Sequence, residues 1–176
     1  MKSMILALLV SLSLMAGDFT LQSDDIQGEL TKVQEFDSGY GCSGENKSPQ
    51  LHWHGAPKET KSFALTLFDP DAPTGHGWLH WVVVNIPATS TSIASDASAQ
   101  KKLPKGALET MNDYGMAGFG GACPPKGDKA HRYIFTIYAL DIQKLNVTQK
   151  SDYKSVKDMI NKHTLEKTSF VSYYKR

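Results

Sequence analysis

Several features that mark common protein classes are scarce or missing in this chain of 176 residues. Basic and acidic residues nearly balance, with 19 Lys and Arg against 18 Asp and Glu, so the composition indicates neither a nucleic-acid-binding surface nor an acidic tail. We find no internal repeat and no linker, and the length is that of one ordinary domain. The sequence therefore predicts a single globular domain that does not bind nucleic acid.

Long hydrophobic runs are also missing, and the longest apolar stretch is too short to span a bilayer unaided. This stretch lies in residues 1–16, which combine a positive charge at Lys2, a short apolar core and the small residue Ala16. The pattern is that of a secretory signal peptide, and it predicts a mature domain of residues 17–176 in the periplasm or outside the cell. The alternative is a buried first helix, and N-terminal sequencing of secreted material would distinguish the two.

Cysteine is scarce, with Cys42 and Cys123 as the two examples. In an exported protein these residues could form one disulfide, because thiols that enter an oxidising compartment tend to pair. Two separate buried thiols fit the sequence about equally well. The sequence leaves both alternatives open.

The densest group of chemically active residues lies between two apolar runs, at 63–69 and 78–87, which have the length and composition of strands. Asp69 and Asp71 stand at the end of the first run, and His80 stands near the start of the second. Side chains two residues apart in an extended chain point to the same side, so the two carboxylates are predicted to converge. This junction is the predicted site.

A second segment rich in glycine and proline, residues 112–128, is predicted to be a long ordered loop. Its five glycines and the adjacent Pro124 and Pro125 exclude a helix or a central strand, and free N–H groups in such a loop can bind an anion. The loop lacks the Gly-Lys-Ser/Thr ending of a nucleotide-binding loop, so nucleotide hydrolysis is not indicated. In the strand that follows, His131 and Tyr133 share a face, and both can donate hydrogen bonds to anionic oxygen.

The sequence patterns in the rest of the chain predict a mainly β protein. One or two strands are expected within residues 18–38, one at 51–54 and a final one at 170–174. Residues 88–106 lack alternation and are expected to form a surface connection. Apolar residues recur at helical spacing within residues 151–167, behind a serine cap, and predict one amphipathic surface helix.

Several ordered blocks resemble the signature sequences of the phosphatidylethanolamine-binding protein (PEBP) family. They are DPDAP at 69–73, WLHWVVVNIP at 78–87, GGACPPKG at 120–127 and HRY at 131–133. CSGENKSP at 42–49 and NDYG at 112–115 resemble the bacterial, Raf-kinase-inhibitor-like branch of that family. The resemblance covers nearly all of the chain from Asp18 onward, and the order of the blocks makes it specific.

The resemblance implies a PEBP-like β-sandwich of antiparallel sheets, with a few peripheral helices and a small anion pocket at one end. Ala122 stands where many bacterial relatives have proline, a difference that would free a backbone N–H in the loop. Carried over to this chain, the pocket would be formed by Asp69, Asp71, His80, His131 and Tyr133, and walled by Gly121, Pro124 and Pro125.

These residues favour binding of phosphate, phosphoethanolamine or a similar head group without chemical change. His80, His131 and Tyr133 would donate hydrogen bonds, together with loop amides. The carboxylates would orient the imidazoles and keep them partly protonated, because a nearby negative charge favours the charged form of an imidazole. Two acids would also repel a dianion, so we expect modest affinity that increases at lower pH.

Other interpretations stay open at this point. The polar groups could form a satisfied cluster that braces the strand ends. The Asp, His and Tyr side chains are adequate for acid–base hydrolysis, with Cys123 as a nucleophile. Separately, His52 and His54 could be two ligands of a metal site if a third ligand were close. Because relatives in the family restrain kinases or proteases, an exported member could inhibit a protease or another envelope protein through its surface. We expect no catalysis and no cofactor.

Overall fold

The computed structural model describes residues 18–176, so the predicted signal peptide at 1–16 lies outside the described residues. No helix within the described range is long and apolar enough to cross a bilayer. The elements in chain order are β1 (Thr20–Gln22), β2 (Leu51–His54), β3 (Ser62–Asp69), β4 (Trp78–Pro87), β5 (Ser92–Ile93), β6 (Leu108–Glu109), β7 (His131–Leu140), α1 (Tyr153–His163) and β8 (Thr164–Tyr174).

The strands form two antiparallel sheets, which confirms the predicted mainly β fold. The smaller sheet has the order β1-β2-β5, and the larger has the order β6-β4-β3-β7-β8. The resemblance implies a few peripheral helices, whereas residues 18–176 contain the single α-helix α1, near the C-terminus as predicted.

Strand β4 is buried on both faces because the larger sheet is covered on each side. Trp81 and Val83 contribute to a core shared with the smaller sheet, while Val82 and Val84 contribute to a second core that includes Ile160 of α1. Alternation along β4 therefore sends successive side chains into different cores, and the strand is fixed from both sides.

An irregularity in β4 occurs at His80. Leu67 of β3 is paired with Trp81, whereas Phe68 is paired with Leu79, so β4 contributes one extra residue at this point. A bulge of this kind increases the local twist and redirects the extra side chain. The bulge lies at the end of the sheet where β3 ends and β7 begins.

Several predicted boundaries differ from the structure. The helix ends at His163 rather than near residue 167, because the chain enters β8 directly and pairs with β7 along its whole length. Its N-cap is Asp152, not the preceding serine, and the Asp152 side chain accepts a hydrogen bond from the backbone N–H of Ser155. Within 88–106, the expected surface connection contains the short strand β5.

Candidate functional site

A cavity of about 180 Å³ opens at the end of the larger sheet where β3 stops and β4 and β7 start. It brings together polar side chains of all three strands, such as Asp69, His80 and Tyr133, because the three strands are neighbours in the sheet. Six of the predicted site residues line the cavity: Asp69, His80, Pro124, Pro125, His131 and Tyr133.

His131 and Asp69 form a buried hydrogen-bonded pair in the cavity wall. Nδ1 of His131 lies 2.8 Å from Oδ2 of Asp69, and the two side chains are only 2% and 3% exposed. The other carboxylate oxygen of Asp69 accepts the backbone N–H of Asp71 at 2.8 Å. An ionised carboxylate only accepts hydrogen bonds, so the proton of this pair lies on Nδ1. Asp69 therefore fixes the orientation of the His131 ring, whose Nε2 lies 3.5 Å from Oδ2 of Asp128.

The imidazole of His80 is held by backbone carbonyl oxygens, whereas that of His131 is held by a carboxylate. Its Nδ1 lies 2.8 Å from the carbonyl oxygen of Gly120 and 3.1 Å from that of Gly121, so Nδ1 must donate. Burial lowers the pKa of His80, and this effect exceeds the opposing influence of the Asp69 and Asp113 charges. The nearby carboxylates therefore do not raise the pKa of this imidazole above its ordinary value, contrary to expectation. Nε2 is left as a buried atom with no hydrogen-bond partner among the described residues.

Two further side chains of the cavity wall retain unpartnered polar atoms. The hydroxyl of Tyr133 and Nε1 of Trp78 are both buried, and neither has a partner within residues 18–176. Burial raises the pKa of Tyr133 well above its ordinary value, so the hydroxyl keeps its proton and can donate. Because buried polar groups are nearly always hydrogen-bonded, these atoms indicate a place for a polar ligand or water.

Gly121 lies behind His80 rather than in the cavity wall. Besides its contact with His80, its carbonyl oxygen accepts the hydroxyl of Tyr114 at 2.9 Å, and its N–H donates to Oδ1 of Asn46 at 2.7 Å. A Cβ at this position would lie 2.4 Å from the carbonyl oxygen of Gln34, so a side chain does not fit. Gly121 thus positions the ring of His80 from outside the cavity.

Asp71 does not share the cavity with Asp69, and the prediction that the two carboxylates converge is wrong. The extended strand ends at Asp69 and the chain turns, so the two-residue alternation no longer applies. The Asp71 carboxylate accepts hydrogen bonds from Nε and Nη2 of Arg132, each at 2.8 Å, and from the Arg132 backbone N–H at 2.9 Å. Its role is to attach this turn to β7.

This ion pair predicts a measurable pH dependence of stability. Arg132 holds the pKa of Asp71 well below its ordinary value, so the pair stabilises the fold above the unfolded-state pKa and loses that contribution as the pH falls below it. We expect Asp71→Ala to lower the free energy of unfolding by about 1 kcal/mol at neutral pH. The difference from wild type should shrink below about pH 4. Urea unfolding at both pH values tests this, and a pH-independent difference would contradict it.

The cavity rim is cross-linked twice. A disulfide joins Cys42 to Cys123, with 5.9 Å between their Cα atoms, so the structure contains the first of the two alternatives that the sequence leaves open. Arg176 donates hydrogen bonds to the carbonyl oxygens of Pro124 at 2.8 Å and Tyr40 at 3.1 Å. Both cross-links tie the loop that contains Tyr40 to the loop that contains Pro124, and both of these residues line the cavity.

Sequence reasoning about single residues missed three aromatic side chains of the cavity wall: Tyr40, Trp78 and Tyr114. The Tyr114 ring makes edge contacts with those of Trp78 and Tyr40, at centroid distances of 5.4 Å and 5.8 Å. Tyr40 is 69% exposed and stands at the rim. A signal for Trp78 was present, since it lies two positions before His80 in a strand.

His52 and His54 lie on β2, away from the cavity, and their ring nitrogens form hydrogen bonds with neighbouring side chains. Nε2 of His52 is 3.2 Å from Oε1 of Gln22, and Nε2 of His54 is 3.0 Å from Oγ1 of Thr20. Among the residues that the structure describes, no group of three or more His, Cys, Asp or Glu is placed to hold a metal ion.

Comparisons with known proteins agree with this fold. The family model described as phosphatidylethanolamine-binding protein matches residues 26–175. The chain is 47% identical over 168 residues to the UPF0098 protein YbcL of Escherichia coli K12, covering 94% of this chain and 92% of YbcL. It is 41% identical over 156 residues to YbhB of the same organism, covering 88% of this chain and 98% of YbhB.

The solved structures point the same way. The crystal structure of E. coli YbcL, described as a new member of the mammalian PEBP family, superimposes with a TM-score of 0.87 over 91% of this chain and 99% of YbcL. A PEBP homologue from Chlamydia trachomatis, 25% identical, gives a TM-score of 0.74 over 90% of this chain and 97% of the homologue. On its sequence and its fold, the chain belongs to the phosphatidylethanolamine-binding protein family.

Proposed function

We propose that the cavity binds a small phosphate-type anion, such as phosphate or phosphoethanolamine, and releases it unchanged. The observation that carries this proposal is the set of buried, unpartnered polar atoms on His80, Tyr133 and Trp78, which line one cavity. A tetrahedral oxyanion offers several oxygens to such a set, and the Tyr133 hydroxyl and the Trp78 N–H are donors suited to them.

The charges around the cavity support an anionic ligand better than the sequence suggests. Asp71 is neutralised by Arg132 outside the cavity, so Asp69 is the carboxylate that an anion would meet in the wall, and His131 is hydrogen-bonded to it. The Arg176 guanidinium, bound to carbonyl oxygens at the rim, adds a positive charge near Tyr133. The remaining repulsion from Asp69 limits affinity, which we expect to be modest and to increase at lower pH.

Binding without transformation is favoured over hydrolysis by the state of Cys123. This residue lines the cavity, but its sulfur is bonded to Cys42 and is not a thiol nucleophile. The disulfide also supports our proposal that the protein acts in the periplasm or outside the cell, since such bonds persist in oxidising compartments. Residues 1–16, with the pattern of a signal peptide, support the same location.

Calorimetric titration of the full chain with phosphoethanolamine tests the proposed function. We expect saturable binding with one ligand per chain, tighter at mildly acidic than at neutral pH. His131→Ala should weaken binding by about tenfold or more, because it leaves the buried Asp69 carboxylate without its hydrogen-bond partner, and this unpaired charge would repel the anion in the cavity. His163→Ala is the matched control, because His163 has the same 2.8 Å contact with an aspartate, Asp141, on the surface. No binding by the wild-type chain at either pH would refute the proposal.

A further inference from the structure

A second groove, of about 540 Å³, is formed by strand β6 together with the loop segments 98–107 and 116–119. It shares no lining residue with the cavity at the end of the larger sheet. Sites for small molecules typically have volumes of about 300–1,000 Å³, so this groove is large enough to hold such a ligand. The charges and apolar surfaces of its wall indicate which kind of ligand fits.

Glu109 presents a carboxylate oxygen to this groove. Its Oε1 accepts hydrogen bonds from Nε1 of Trp81 at 2.7 Å and from the hydroxyl of Ser98 at 2.6 Å. The Ser98 hydroxyl in turn accepts the backbone N–H of Phe119 at 2.9 Å, so the carboxylate is held in one orientation by groups of β4 and of both loops. No residue from 18 to 176 donates a hydrogen bond to Oε2 of Glu109. This oxygen is therefore a positioned, negatively charged acceptor for a donor from outside the chain.

Positive charges lie at the rim of the same groove. Lys101 and Lys105 line it and are exposed, whereas Glu109 is partly buried. Among the described residues, neither lysine forms an ion pair with Glu109, so the two signs of charge stay separate. Leu103 and Met116 supply apolar surface, and the thioether side chain of Met116, which is 37% exposed, can adapt to different shapes. The groove thus combines an inner negative charge, apolar walls and an outer positive rim.

We propose that this groove is a second binding site, for a small zwitterion with an apolar body, such as a dipeptide of apolar residues. The ammonium group of the ligand donates to Oε2 of Glu109, and its apolar side chains cover Met116. Its carboxylate faces the ammonium groups of Lys101 and Lys105. Glu109 repels an anion that has no ammonium group, and the two lysines repel a polyamine. This site is separate from the cavity at the sheet end and does not rest on the function proposed for that cavity.

Titration of the ¹⁵N-labelled full chain with leucyl-leucine tests the proposal, because the indole N–H groups of the three tryptophans are separate reporters. We expect the Nε1–H resonance of Trp81 to shift saturably, since this group is hydrogen-bonded to Glu109. Trp78 lines the sheet-end cavity and Trp53 lies on β2, so their resonances should stay in place. An unmoved Trp81 resonance at millimolar leucyl-leucine would overturn the proposal, as would a shift confined to Trp78.

Two analogues of the dipeptide separate the contributions of its charges in the wild-type chain. N-acetyl-leucyl-leucine lacks the ammonium group and should bind roughly 10- to 100-fold more weakly, the range expected for a hydrogen bond between charged groups. Leucyl-leucine amide lacks the carboxylate and should bind only about two- to fivefold more weakly, because the rim lysines are exposed to solvent. Equal affinity for the acetylated and the free dipeptide would overturn the proposal without any need for a folded variant.

Glu109→Gln removes the charge and keeps an acceptor for the two donors that hold the side chain in place. We expect this variant to bind leucyl-leucine about tenfold or more weakly and to lose the preference over the acetylated dipeptide. The double variant Lys101→Gln/Lys105→Gln should lose about two- to fivefold. Lys102→Gln is the matched control, because Lys102 is exposed but does not line the groove, and its affinity should equal that of wild type. Unchanged binding by Glu109→Gln would overturn the proposal.

Discussion

Replacing both cysteines, in a Cys42→Ser/Cys123→Ser chain, is expected to lower the free energy of unfolding by about 4 kcal/mol. The bond spans 81 positions, so breaking it restores considerable freedom to the unfolded chain. Domains of this size are stable by only about 5–15 kcal/mol, and the loss would therefore be a large part of the total. Urea unfolding of the two chains under non-reducing conditions measures the difference.

A reductant supplies the control for this prediction. It should destabilise the wild-type chain toward the level of the double variant and leave the variant itself unchanged, since no other cysteine is present. A loss below about 1 kcal/mol would show that the disulfide contributes little beyond the contacts already made by Arg176 at the same rim.

Asp69→Ala is expected to lower the free energy of unfolding by about 3–5 kcal/mol. The substitution removes the oxygens that accept hydrogen bonds from Nδ1 of His131 and from the backbone N–H of Asp71. The buried Nδ1–H and the partly buried backbone N–H both lose their partner. The cost is high because desolvated donors do not regain their hydrogen bonds with water. Chemical denaturation followed by tryptophan fluorescence gives the free energy.

Asp71→Ala is the matched control for this second prediction. It removes a carboxylate two positions away whose partner, the Arg132 side chain, is 50% exposed, and its expected effect is about 1 kcal/mol. If both variants lost a similar free energy of unfolding, the buried Asp69–His131 pair would contribute no more to stability than the partly exposed Asp71–Arg132 pair, and the prediction would be wrong.

The long strands were predictable from the sequence because their apolar content is strong and their ends are marked. β3 and β4 coincide closely with the apolar runs at 63–69 and 78–87, and the loop between them is defined by Pro and Gly. The start of β8 was not predictable, since residues 164–169 carry mostly polar, exposed side chains and become a strand through pairing with β7. The local sequence pattern is a poor predictor of a strand that forms because it pairs with another strand.

Which residues meet at the site was predictable only in part. His80, His131 and Tyr133 reach one cavity, as the family resemblance implies, because β3, β4 and β7 are adjacent. Two features depend on backbone detail that the sequence does not display. Asp71 turns away because the strand ends two residues earlier, and the state of His80 depends on carbonyl groups of a distant loop.

Binding of a phosphate-type anion in the cavity is best tested by a high-resolution electron-density map of the protein crystallised with phosphate at mildly acidic pH. We expect tetrahedral density in the cavity, within hydrogen-bond distance of Nε2 of His80 and of the Tyr133 hydroxyl. A cavity that holds only water at saturating phosphate would contradict it, as would density placed against Asp71 outside the cavity.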